Sequence, residues 1–183
     1  MTPKSKLCAA GVKLRTQVNT AYPNRDKASD GWIGNAAHKK NKSDHNPDPK
    51  TGYVRALDID SDLGKGIDSQ ELAESLRILA KMGEKRIAYV IHNKRIASPI
   101  LGWKWRPYLG SNPHFSHIHV SFTKLGDTDG KAFGATMPKK KTTPSARNQA
   151  TALAKAKKDL TALEAQRAQI ELQIKVIKDL YKL

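Results

Sequence analysis

The chain has 183 residues, 38% hydrophobic and 27% charged, with a formal net charge of +16. Its one cysteine, Cys8, excludes an internal disulfide framework and a thiolate zinc finger, so any metal site must use histidine and carboxylate. Residues 131–183 carry 12 Lys and Arg against 4 Asp and Glu, so half of the net charge lies in this C-terminal part. A cationic chain favours polyanions, among them nucleic acid, anionic lipid and anionic wall polymers. No aromatic-rich basic stripe or helix-turn-helix signature accompanies the charge, so nucleic acid is not the expected partner. The N-terminus lacks the apolar stretch of a signal peptide. No segment approaches the ~20 apolar residues of a membrane span. Synthesis in the cytoplasm, without a transmembrane segment, is the expectation.

In chain order, residues 4–20 read as a helix with Leu7, Ala10, Leu14 and Val18 on one face, ended by Pro23. A loop carrying Arg25 follows, then the turn-rich stretch Ser29-Asp30-Gly31-Trp32-Ile33-Gly34. His38 is expected at the surface or behind a ligand. Lys39 to Thr51 is polar and rich in turn formers, and it holds Ser43-Asp44-His45-Asn46-Pro47. Tyr53 to Ile59 reads as a strand, with Asp58 and Asp60 on one face. Asp68-Ser69-Gln70-Glu71 looks like a capping box opening a helix with Leu72, Leu76 and Leu79 in its stripe, stopped by Gly83. Ile87 to His92 is strand-like, Asn93-Lys94 a turn, and Arg95 to Ala97 a return strand. His92 is expected to be structural. Trp103 to Tyr108 concentrates aromatic residues, either packing a loop over the core or walling a groove for an extended peptide or sugar.

The chain then reaches Pro113-His114-Phe115-Ser116-His117-Ile118-His119-Val120-Ser121-Phe122. From His117 the alternation predicts a strand with one face buried. His117 and His119 share a face, where two imidazoles can meet one metal ion. A catalytic zinc needs about three protein ligands and an open position. The further ligands are expected from His45 and the Asp58/Asp60 strand. Past Asp127 the composition loosens, and residues 131–147 read as a basic, proline-containing linker. Residues 148–183 follow a heptad, with Leu153, Leu160, Arg167, Ile174 and Tyr181 at a and Ala156, Leu163, Ile170 and Ile177 at d. Self-association is the expected use, and a helix folded back on the domain is the rival. The expected domain division is 1–130, 131–147 and 148–183.

Two neutral imidazoles and a carboxylate leave a bound zinc with net positive charge, enough to lower the pKa of its water toward ~7 and to polarise a carbonyl. His114 and His117 are placed to act as acid, base or oxyanion stabiliser. The chemistry expected is zinc-assisted amide hydrolysis.

Ser43-x-His45, Ala56-x-Asp58 and His117-x-His119 resemble the zinc motifs of the LAS metallopeptidases. Within that superfamily the chain is most similar to the D-Ala-D-Ala carboxypeptidase/L-alanyl-D-glutamate endopeptidase family of phage endolysins, over about residues 8–125. The resemblance implies an α+β fold with a small antiparallel sheet and flanking helices, one Zn2+, and cleavage of peptidoglycan stem peptides or cross-links. By position it implies His45, Asp58 and His119 as metal ligands, His117 as catalytic, and His114 as a further catalytic histidine. It also implies Arg25 as a binder of a substrate carboxylate, with Arg106 as the other candidate. Two features depart from the family pattern. The His-to-Asp spacing is thirteen residues rather than seven, which keeps Asp60 open beside Asp58. Ser116 stands where many relatives have a carboxylate base. The expected setting is a phage endolysin made in the host cytoplasm and acting on the wall after release. The alternative is a non-catalytic, zinc-containing wall-binding or virion module.

Overall fold

The computed structural model describes residues 3–35, 41–140 and 146–181, so His38 lies outside the described residues. The chain divides into two units, residues 1–141 and 142–183. The first is α+β and the second is a long helix. In order, the first unit contains β1 (Lys6–Leu7), α1 (Ala9–Ala21), β2 (Tyr53–Val54), β3 (Ala56–Asp60) and α2 (Ser69–Lys81). β4 (Ile87–His92), β5 (Arg95–Ala97), β6 (Arg106–Pro107) and β7 (His117–Phe122) follow. β1 and β2 pair in parallel, and the main sheet runs β3-β7-β4-β5-β6, with every pairing antiparallel.

The expected first helix is shorter than its apolar pattern. Lys6 and Leu7 pair with Tyr53 and Val54, and Cys8 caps α1 with its sulfur accepting from the Gly11 N–H. Burial pushes the Cys8 thiol up to about 11. α2 starts as its capping sequence predicts, with the Asp68 carboxylate accepting from the Gln70 N–H at 2.9 Å. Leu72 and Leu76 bury against Leu14, Val18, Ile118 and Val120 in one core.

β7 lies between β3 and β4. Ile118, Val120 and Phe122 face the core, as the alternation requires. The opposite face is not open to solvent, because His119 and Ser121 are buried as well. The loop carrying Asp44 and His45 and the side chain of Tyr89 lie over that face. The extra residues between His45 and Asp58 form a closed turn. Asp48 N–H donates to the Tyr53 carbonyl and Gly52 N–H to the Asp48 carbonyl. Gly52 has φ +74, and a Cβ there would meet the Lys4 carbonyl oxygen at 2.4 Å, so only glycine fits. Arg55 ties this turn down, donating to Asp127 at 2.7 and 2.6 Å and to Asp48 at 3.1 Å.

Residues 131–140 are not a free linker. Phe133 is 3% exposed, with the Arg86 guanidinium 4.1 Å above its ring. Gln17 exchanges two hydrogen bonds with the Phe133 backbone, and Tyr22 donates to the Pro138 carbonyl. The apolar side chain and the paired backbone hold this stretch on α1 despite its basic composition. α3 spans Ala146–Tyr181, so it begins two residues ahead of the expected boundary. Phe133→Ala should cost about 3 kcal/mol. Urea unfolding measures it, and a true linker would show no loss.

Candidate metal centre

The antiparallel register of β3 and β7 places Asp58 opposite His119. Directly opposed residues share a face with Cβ atoms ~4.5–5.5 Å apart. Asp58 Oδ1 lies 2.9 Å from His119 Nδ1, and Asp58 Oδ2 lies 3.2 Å from His45 Nε2. The two ring nitrogens are 3.2 Å apart. A tetrahedral ion with bonds of about 2.0–2.1 Å holds its ligand atoms ~3.3 Å apart, so the donor spacing matches. His45, Asp58 and His119 can hold a metal ion.

The protons support the same conclusion. Ser121 and Tyr89 both donate to Asp44 Oδ2 at 2.8 Å. Ser121 has one proton to give, so it must accept from His119 Nε2, 3.0 Å away. In the neutral ring His119 Nδ1 then carries the lone pair and aims it at Asp58 and His45; in the protonated ring it donates to Asp58. Lone pairs at such distances repel unless a cation, proton or metal, lies among them. Tyr89 also stacks on the His119 ring at 5.6 Å and 19°. Asp44, Tyr89 and Ser121 therefore set the ring's orientation and tautomer, the work usually done behind a metal ligand. The sequence reading missed all three. Ser121 carried a signal, since it follows His119 by two residues on the same strand face. Asp44 adjoins His45, but only the fold brings it to Ser121.

His45 sits on the turn after Ser43, whose Oγ accepts from the His45 N–H at 3.3 Å. The His45 carbonyl accepts from Gly34, and the Trp32 backbone holds its ring. The Gly31 segment bridges to Asp58 with hydrogen bonds of 3.2 and 2.7 Å, so Ser29 to Gly34 walls the outer edge of β3. Burial alone would raise the Asp58 carboxyl, but bonds and charge from His119 and His45 outweigh it and hold it well below the usual range. Burial alone would lower His45, and Asp58 reverses that, raising it.

Asp58, not Asp60, is the carboxylate that converges with His45 and His119 among the described residues. The Asp60 carboxylate accepts from the backbone N–H groups of Ser29 and Asp62 at 2.8 Å each. His117 faces Asp58 across 3.7 Å from its Nε2, while its Nδ1 meets Ser116 Oγ at 3.1 Å. Burial lowers His117, with His119 and His45 adding to that and Asp58 opposing it. His114 has φ 55, in the left-handed region. The β4–β5 turn clamps it there, with the Asn93 and Lys94 N–H groups donating to the His114 and Pro113 carbonyls. Its ring lies 4.9 Å from that of His117 and 5.4 Å from that of His119. Burial, then the charges of His119 and His117, pull His114 down to about 4. Among the described residues its Nδ1 has no hydrogen-bond partner.

His92 is structural, as expected: its two nitrogens meet the His117 carbonyl and Ser69 Oγ, each at 3.2 Å. The aromatic stretch divides between the core and the wall of a cleft. Trp103 and Trp105 pack on the core, and Tyr108 walls an open cleft of ≈ 490 Å3 whose floor is the histidine and Asp58 cluster.

Arg25 does not fulfil its expected substrate role. Its side chain is fully buried and its donors are spent on Asn19, the Asp26 carbonyl and both oxygens of Asp30. Asp30 also accepts from the Asp60 N–H, so Arg25 anchors the loop at the end of β3. Arg106 sits on the edge strand β6, where it donates to the Ile96 carbonyl at 3.4 Å. Arg25→Ala should cost about 3 kcal/mol of stability, as loss of one partner of a buried pair does, and leave metal affinity of the folded protein unchanged; denaturant unfolding and metal titration measure the two. Compared with known proteins, the chain matches no family model, no curated protein and no solved structure.

Proposed function

We propose that the protein is a zinc-dependent peptidoglycan peptidase, hydrolysing an amide in stem peptides or cross-links, of the phage endolysin type. The observation that carries this reading is a His2Asp donor set on the floor of an open cleft, with two further histidines, His114 and His117, beside it. A structural site needs no such neighbours. Two imidazoles and one carboxylate suit zinc, which when bound supplies Lewis acidity and an acidified water.

The chain's own residues manage orientation and protons. Asp44, through Ser121, keeps His119 in the tautomer that presents Nδ1. His117, held by Ser116, directs Nε2 toward the donor set and serves as base, then as acid toward the leaving amine. His114 is neutral at pH 7 and hydrogen-bonds the oxygen that gains charge. Tyr108 and the 110–112 backbone flank the cleft in which an extended peptide lies. The positive charge of the chain favours an anionic wall.

Zymography with purified walls tests this. The zinc-loaded protein should clear the gel and lose clearing after exhaustive chelation. Absence of a clearing band would favour a wall-binding module. His119→Ala and Asp58→Ala should each lose metal and activity. His117→Ala should retain metal while activity falls at least ~100-fold. Mass spectrometry of the released fragments identifies the bond cut.

The pH profile gives a second check. A lowered His117 value keeps the base form populated below the ordinary histidine value of ~6.5. The acid limb of kcat/KM should therefore fall below pH ~6.5. An acid limb above that value would remove His117 from the role.

A further inference from the structure

The helix α3 spans 36 residues, ~54 Å at 1.5 Å per residue. Every side chain described from Leu153 to Leu180 is exposed. Among them Leu153, Leu160, Leu163, Ile170, Ile174 and Ile177 are about half exposed and share one stripe. A row of leucine and isoleucine of that length needs cover, because most of a helix's stability comes from packing such a face.

We infer that the stripe is covered by α3 of a second copy and that the two helices run antiparallel. Charge decides the orientation. In a parallel pair, a faces a and d faces d. Arg167, at an a position, would then meet Arg167 of the second copy inside the seam. Asp159 at g would fall beside Glu164 at e, on both sides. Both contacts are like-charged.

In an antiparallel pair, a faces d. Leu153 then lies opposite Ile177, Leu160 opposite Ile170, Ile174 opposite Ala156, and Arg167 opposite Leu163. This register overlaps nearly the whole helix, and each Arg167 comes beside Glu164 of the other copy. Lys157 meets Glu171 of the other copy, twice. The one like-charged approach, Glu164 to its equivalent, has both Arg167 side chains within reach. Within one copy Arg167 already donates to Glu171 at 2.8 Å, so the guanidinium lies among acceptors throughout. The same sequence thus disfavours one orientation and favours the other.

The full-length chain tests this. Sedimentation equilibrium at micromolar protein should give twice the 20.2 kDa chain mass. A spin label on Ala154→Cys should report the orientation, because buried Cys8 with its raised pKa stays unlabelled. Antiparallel helices set the two labels about 33 Å apart along the axis. Parallel helices bring them within ~20 Å. Leu160→Glu with Ile170→Glu should yield a monomer whose tryptophan near-UV signal is unchanged. A monomeric wild type, a larger oligomer, a short label distance, or a dimer that survives the double substitution would each overturn the inference.

Discussion

The structure depends on one strand register. β3 and β7 pair so that Asp58 stands opposite His119. A slip by one residue would turn every side chain to the wrong face. Burial prevents the slip: Leu57 and Ile59 on β3 and Ile118 and Val120 on β7 are all essentially sealed from solvent. The hydrophobic effect thus sets the geometry of a polar site on the far side of the same sheet. The acid and the imidazole are held in place by apolar neighbours that face the other side of the sheet.

Around this pair, loops supply what two strands cannot. His45 arrives on a turn anchored by Ser43, by Gly34 and by the Arg55 cluster. His114 is fixed in a left-handed conformation by the N–H groups of the neighbouring hairpin turn. Asp44 links the loop to the sheet through Ser121 and Tyr89, fixing which nitrogen of His119 carries the proton. The result is a donor set in which lone pairs converge, a costly arrangement without a cation. A cation among the lone pairs removes that cost, and His45, Asp58 and His119 are spaced so that they could hold a metal ion. The proposed peptidase chemistry adds to it only a cleft and two imidazoles outside the donor set.

Much of this was legible along the chain. Strand alternation at 117–122, the capping sequence at Asp68 and the Asn93-Lys94 turn are local patterns, and each formed as its residues dictate; the single strand expected over 53–59 instead splits into Tyr53–Val54 and Ala56–Asp60, in two different sheets. Asp58 and Asp60 were not separable that way, because both lie on the same strand face. Convergence with His45 and His119 separated them, and that comes from folding. Arg25 misled for a related reason. The resemblance implied a substrate-binding arginine there, while Asn19, Asp26 and Asp30 close around the guanidinium. Residues 131–140 misled in the opposite sense. Their lysines and proline resemble a linker, but one phenylalanine and a few backbone bonds suffice to dock them.

What the sequence alone determined is whatever repeats at short range: the periods of helix and strand, the heptad of α3, and the presence of histidine and carboxylate in strand-facing pairs. What only the tertiary structure decided is which of those groups share one point in space and which are already satisfied. Cross-strand register, loop closure and hydrogen-bond competition are long-range facts. Residues 45, 58 and 119 meet because the chain between them is folded away, and spacing along the backbone does not encode that distance.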